Sequence, residues 1–144
     1  MDAVFHRTIA DDFAELKVLM DDAGGFLEQQ GVDVTAVFRI NLTLEELVTN
    51  IIKFGANAPA GSHIDVTLTV GPKEVTAVIT HEGYEFNPVL HERKQQPERL
   101  LDRETGGLGI YLIKKLLGSM EYRREGSRNI VQVKTQRKVA PPGK

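Results

Sequence analysis

The chain has 144 residues, 41% of them hydrophobic, which suits one domain with one substantial core. Eighteen basic against twenty acidic side chains give a formal net charge of -2, so no global positive field argues for nucleic acid or an anionic membrane, and an anion would have to bind in a local pocket. Cysteine is absent, which excludes disulfides, thiolate nucleophiles and cysteine-ligated zinc.

The opening MDAVFHRTIADDF places two aspartates where a signal peptide needs an apolar core, and no run of about 18 apolar residues occurs, so a soluble cytoplasmic protein is the expectation. Residues 4–9 are a short candidate strand, after which Asp11 and Asp12 supply an N-cap and first-turn negative charge for a helix. Phe13, Leu16, Leu19, Met20, Ala23, Phe26 and Leu27 follow at helical spacing and predict one buried face, with Gly24 and Gly25 interrupting it. Gly31 closes this helix and Asp33 opens a second. Its wide apolar stripe, Val37, Phe38, Ile40, Leu44, Leu47, Val48, Ile51 and Ile52, runs to about Phe54, ahead of Gly55.

ANAPAGS is a loop by composition. Residues 63–70 alternate, with Ile64, Val66, Leu68 and Val70 against Asp65, Thr67 and Thr69. Residues 75–80 form a second β-rich run, and Gly71, Pro72 and Lys73 turn the chain between the two. Residues 89–105 are charged and weakly periodic, as a surface segment is. Residues 108–117 predict a helix stopped by Gly118, and residues 120–124 and 130–135 a last hairpin around Glu125, Gly126 and Ser127. Residues 1–135 therefore make the domain, and the basic, proline-containing residues 136–144 a disordered tail. The order β, α, α, β, β, loop, α, β, β implies an α+β two-layer sandwich, in which a mixed, largely antiparallel sheet is covered on one face by helices.

Three stretches could carry chemistry. In EELVTNIIKF, Glu46 and Asn50 are four residues apart and share a helix face, where a carboxylate beside a carboxamide can orient a hydroxyl and hold a hard cation; the competing reading is a solvated polar face. In TGGLGIYLIKKL a glycine run opens a helix, so bare N–H groups at its positive end can face phosphate, although a plain structural cap uses the same residues. In THEGYEFNP, His81 and Glu82 end a strand at a Gly83 turn, which alone reads as a hairpin exit. The four histidines show no paired ligand spacing, and no serine sits in a glycine elbow.

Taken together and in this order, LVTNIIKF, GYEFNP and GGLGIYLIKKLLGSMEYRREGSRN resemble the N box, the tail of the first glycine box and the second glycine box of the GHKL (Bergerat-fold) ATPases. The likeness spans about residues 5–135 and is greatest to the small anti-sigma-factor serine/threonine kinases of bacteria, since it runs on through the Tyr122, Arg123, Gly126 and Asn129 pattern. The resemblance implies a Bergerat ATPase fold with ATP and Mg2+ as cofactors. It implies Asn50 as magnesium ligand, Glu46 as the base for the attacking hydroxyl and Lys53 near the phosphates. It makes residues 89–105 an ATP lid, with Gly107, Leu108 and Gly109 giving backbone approach to the phosphates, and Thr105 and Arg103 adding lid contacts.

His81 and Gly83 would form the adenine pocket, and here the chain departs from the family, which normally has an aspartate at the His81 position. Neutral histidine accepts a hydrogen bond through one ring nitrogen, whereas imidazolium only donates and would oppose the adenine amino group as the pH falls. Glu82 cannot substitute, because adjacent strand residues point to opposite faces.

The implied activity is an ATP-dependent kinase that phosphorylates or sequesters an anti-sigma-factor antagonist-type protein, binds a sigma factor, or does both. A homodimer is compatible with the resemblance, and neither nucleic acid nor membrane is a direct partner. The alternative is a partner-switching module on the same fold with nucleotide binding weakened or lost through His81. A two-component histidine kinase fits poorly. His81-Glu82 and His91-Glu92 imitate its phospho-acceptor box, but one ends a strand, the other falls in the lid, and the helical hairpin that carries such a box has no room.

Overall fold

The computed structural model describes residues 2–54, 63–83, 85 and 119–138. Five strands and two helices follow in the order β1 (Ala3–Ala10), α1 (Phe13–Gln29), α2 (Val34–Phe54), β2 (His63–Val70), β3 (Glu74–Glu82), β4 (Ser119–Glu125) and β5 (Arg128–Gln136). The strands form one sheet in the order β1-β2-β3-β5-β4. All four described pairings are antiparallel, so among the described residues the sheet has no mixed character. The predicted α+β two-layer architecture stands, with α1 and α2 packed on one face.

That face follows from the alternation. Ile64, Val66, Leu68 and Val70 of β2 register with His81, Ile79, Ala77 and Val75 of β3, and these with Asn129, Val131, Val133 and Thr135 of β5. All twelve are buried. The opposite face carries Thr67, Thr69, Thr76, Thr80, Gln132 and Lys134, which suits solvent.

Against the apolar face, α2 presents Ala36, Ile40, Leu44, Leu47, Val48 and Ile51, and α1 presents Leu16, Leu19, Ala23 and Leu27. A leucine as fully covered as Leu44, with none of its surface exposed, contributes about 1.5–3 kcal/mol. Phe38 was expected in this stripe but is 59% exposed, because position 38 lies about 200° round the helix from Ile40, outside an arc stepping by three and four. Phe13 is also exposed; it is the first helical residue, one turn ahead of Leu16, where α1 first reaches the core.

The helix ends match the capping residues. Asp12 caps α1, its side chain accepting from Glu15 N at 2.8 Å, while Glu15 Oε1 accepts from Ala10 N at 2.8 Å. Gly24 and Gly25 do not break α1, which is continuous to Gln29. At Gly24 an added Cβ would sit 3.7 Å from Asn41 Nδ2 of α2, so that glycine lies in the helix–helix contact. Gly31 has φ 73° and closes the helix, and Asp33 accepts from Ala36 N at 3.2 Å to start α2.

Residues 136–138, expected in the tail, are tied to the domain. Gln136 is still in β5, Lys138 N donates to Asp33 Oδ1 at 2.7 Å, and Arg137 donates to the carbonyls of Gly71, Gln30 and Gly31 at 3.0–3.3 Å. One guanidinium thereby ties the exit of α1 to the β2–β3 turn. Residues 139–144, the loop at 55–62, the lid at 89–105 and the helix expected at 108–117 lie outside the described residues.

Candidate functional site

Two groups of polar residues stand out, one on the C-terminal half of α2 and one at the end of β3, two elements that pack on each other. The first is on α2. Asn50 is 3% exposed, and its Nδ2 is buried without a hydrogen-bond partner among the described residues. A buried carboxamide left in that state costs stability, and a bound water, ion or ligand group would satisfy it. Glu46, one turn earlier on the same side, is half-buried, and Lys53 is exposed. This is the arrangement expected from the four-residue spacing: a carboxylate and a carboxamide on one side of a helix whose other buried residues, apart from Thr43, are apolar.

The second group is at the end of β3. His81 occupies the inward row of Val75, Ala77 and Ile79 and is 4% exposed, whereas Glu82 points outward and is exposed. Gly83 follows with φ 145°, a conformation that L side chains rarely adopt, and its N–H donates to Ser127 O at 3.0 Å. Asn129 lies directly opposite His81 on β5, fully buried, and Arg124 lies opposite Asn129 on β4. Asn129 Oδ1 accepts from the Tyr122 hydroxyl and from Arg124 Nη1 at 3.0 Å, while Arg124 Nη2 donates to Gly83 O at 2.8 Å.

These surroundings set the charge of His81. Burial strips the imidazolium of its hydration and is the main cause of a pKa below the usual histidine value. A hydrogen bond involving the Glu82 backbone opposes this, and the Arg124 cation adds to the lowering. The neutral form of His81, which can accept, is therefore favoured, and the donor-only form is confined to lower pH than its ordinary pKa would suggest.

Among the described residues no three His, Asp or Glu side chains converge into a metal-binding group. His6 and His63 lie on the outward face of β1 and β2, away from His81. Of the expected site residues, the structure places Glu46, Asn50 and Lys53 on α2, and His81 and Gly83 at the end of β3. Thr105, Gly107, Leu108 and Gly109 are outside the described residues, as are Arg103 and His91.

The sequence reading passed over Arg124. A hairpin centred on three residues, Glu125 to Ser127, would set Arg124 opposite Arg128. The turn instead has two residues, with Gly126 at φ 61° ahead of Ser127, which sets Glu125 opposite Arg128 and Arg124 opposite Asn129. Glycine leading a two-residue loop is the type II′ signature, so the signal was present in Gly126-Ser127.

No helix among the described residues is long and apolar enough to cross a membrane. No curated protein sequence matches the chain. The family model for the histidine kinase-like ATPase domain matches residues 9–135, which take in α1, α2, β2 to β5 and both polar groups. With this match over most of its length and the five-stranded antiparallel sheet carrying two helices, the chain belongs to the histidine kinase-like ATPase domain family, which implies an ATP-binding domain of kinase or ATPase type.

Proposed function

We propose that this chain is a cytoplasmic ATP-dependent protein serine/threonine kinase of the anti-sigma-factor type, acting on a small antagonist-type protein and pairing with it or with a sigma factor. The observation that carries the reading is the Glu46 and Asn50 pair: a carboxylate one helical turn from a buried carboxamide with an unpartnered polar end, in a chain matched by this family from residue 9 to residue 135.

The residues suit the nucleotide. Rotating the Asn50 carboxamide exchanges its oxygen and nitrogen, so its unpartnered end can be offered to a hard cation, and Mg2+ takes oxygen ligands from one or two side chains while phosphates and waters supply the rest. At the other end, neutral His81 offers the acceptor that an adenine amino group needs. ATP with its Mg2+ supplies the phosphoryl group and the counter-charge at the phosphates. Glu46 would take the proton from a serine or threonine hydroxyl of the partner as that oxygen bonds to the γ-phosphorus and ADP leaves, and Lys53, exposed at the end of α2, would supply positive charge to the phosphates.

Incubation with labelled Mg-ATP and a purified antagonist-type protein tests this reading. Phosphorylation of a serine or threonine that falls by about 10²-fold or more in Glu46→Gln is the expected result. Transfer that survives Glu46→Gln unchanged refutes the assigned base.

A second reading, partner exchange with nucleotide affinity weakened or lost, is favoured by one observation, the histidine at an otherwise acidic position. Calorimetric titration separates the two. Tight Mg-ATP binding by the unmodified chain refutes the second reading, and binding gained only on His81→Asp supports it.

A further inference from the structure

We propose, on the nucleotide reading given above, that Arg124 is a positioning residue for the nucleobase: it bridges the Gly83 carbonyl and the Asn129 carboxamide, and so holds the turn after β3 and the residue opposite His81 in one arrangement. The guanidinium uses both arms, Nη1 to Asn129 Oδ1 at 3.0 Å and Nη2 to Gly83 O at 2.8 Å. A planar fork spans two acceptors in fixed geometry, which a lysine ammonium, a point donor on a flexible stem, does not reproduce.

Each end of the bridge has a reason to need it. Gly83 sits at φ 145°, and its peptide is gripped on both sides, with the N–H on Ser127 O and the carbonyl on Arg124. Without these bonds, a glycine ending a strand has the widest conformational freedom of any residue. Asn129 is fully buried, and its Oδ1 accepts from both Arg124 and Tyr122, which fixes the orientation of the carboxamide beside His81.

Arg124 has no carboxylate partner among the described residues, although Glu125 is adjacent and binds Arg123 at 2.8 Å instead. Among these residues its charge therefore serves a carbonyl and a carboxamide. Along the sheet His81 is flanked by Ile64 and Asn129, with Arg124 beyond Asn129, and this cation, second to burial, also favours the neutral imidazole. The bridge and the charge thus both maintain His81 as an acceptor in a fixed place.

The test uses the full chain, Arg124→Leu and Arg124→Lys. Mg-ATP and Mg-inosine triphosphate, which lacks the 6-amino group, are titrated by calorimetry, and hydrogen exchange is followed at the Gly83 amide. In Arg124→Leu, ATP affinity falls about tenfold, inosine triphosphate affinity changes by less than about threefold, and Gly83 exchange accelerates while β2 amides keep their protection. Arg124→Lys behaves as the leucine variant does. Unchanged ATP affinity, an equal loss for both nucleotides, unchanged Gly83 exchange, or full rescue by lysine would each overturn the positioning role. If the unmodified chain binds neither nucleotide, the nucleotide reading itself fails and the nucleobase role goes with it; the unmodified titration distinguishes that outcome from failure of the bridge alone.

Discussion

Replacing Asn50 by leucine is expected to stabilise the protein while abolishing its interaction with Mg-ATP. Asn50 is 3% exposed, its Nδ2 has no hydrogen-bond partner among the described residues, and its helical neighbours Leu47 and Ile51 are buried aliphatics. A buried polar group in this state costs about 1–3 kcal/mol, and leucine of similar length removes the cost and adds apolar burial. Part of that gain is offset by fitting a branched end into space shaped for a planar one.

A net gain of about 1–2 kcal/mol in the ligand-free protein corresponds to a rise of about 3–6 °C in Tm for a domain of this size. Urea denaturation and calorimetric melting without nucleotide measure it, and titration with Mg-ATP at a temperature where both proteins are folded measures the loss of binding. A leucine variant that melts lower than the unmodified protein would refute the reasoning, since it would show that the carboxamide contributes to the fold and is not held in reserve for a ligand.

Other consequences follow from particular contacts. Because the folded pKa of His81 lies below its unfolded value near 6.5, the unfolded chain binds the proton first. Stability is therefore full above about 6.5 and falls as the pH drops toward the folded pKa. Denaturation curves at pH 7.5 and 5.5 show this, and His81→Gln flattens the difference. Gly83→Ala forces a side chain onto φ 145° and is expected to cost about 1–3 kcal/mol, read by urea denaturation, with faster exchange at the neighbouring amides. Asp33→Ala removes the acceptor for both Ala36 N and Lys138 N and is expected to cost about 1–2 kcal/mol. Burial acts to raise the Asp33 pKa, but the hydrogen bonds from Lys138 and Ala36 outweigh it and leave the carboxyl below its usual 3.8. Its contribution is therefore present above that pH and lost as the pH falls through the folded value, so the cost of Asp33→Ala shrinks in acid.

Local chemistry made several elements legible without the fold. Residues 63–70 alternate so regularly that β2 has the predicted bounds, and Asp12 and Asp33 mark helix starts because their short carboxylates reach orphan N–H groups two or three residues on. The four-residue step from Glu46 to Asn50 set both on one face of α2, as helical geometry requires. Those features depend on neighbours within a turn or a strand. The glycine pair in α1 was misread for the complementary reason: intrinsic propensity disfavours Gly24 and Gly25 in a helix, yet packing of Leu16, Leu19, Ala23 and Leu27 into the core keeps α1 continuous through them.

The sequence by itself determined which residues are apolar and at what period, where helices begin, and, through the family resemblance, that His81 stands where that resemblance implies an acid. Tertiary structure decided what surrounds them. Arg124 and Gly83 are 41 residues apart, and only the β3–β5–β4 register brings the guanidinium to the turn and Asn129 opposite the imidazole. The protonation of His81 was likewise undecided in the sequence, because a side chain's pKa depends on lost hydration and nearby charge, and both are properties of the assembled sheet.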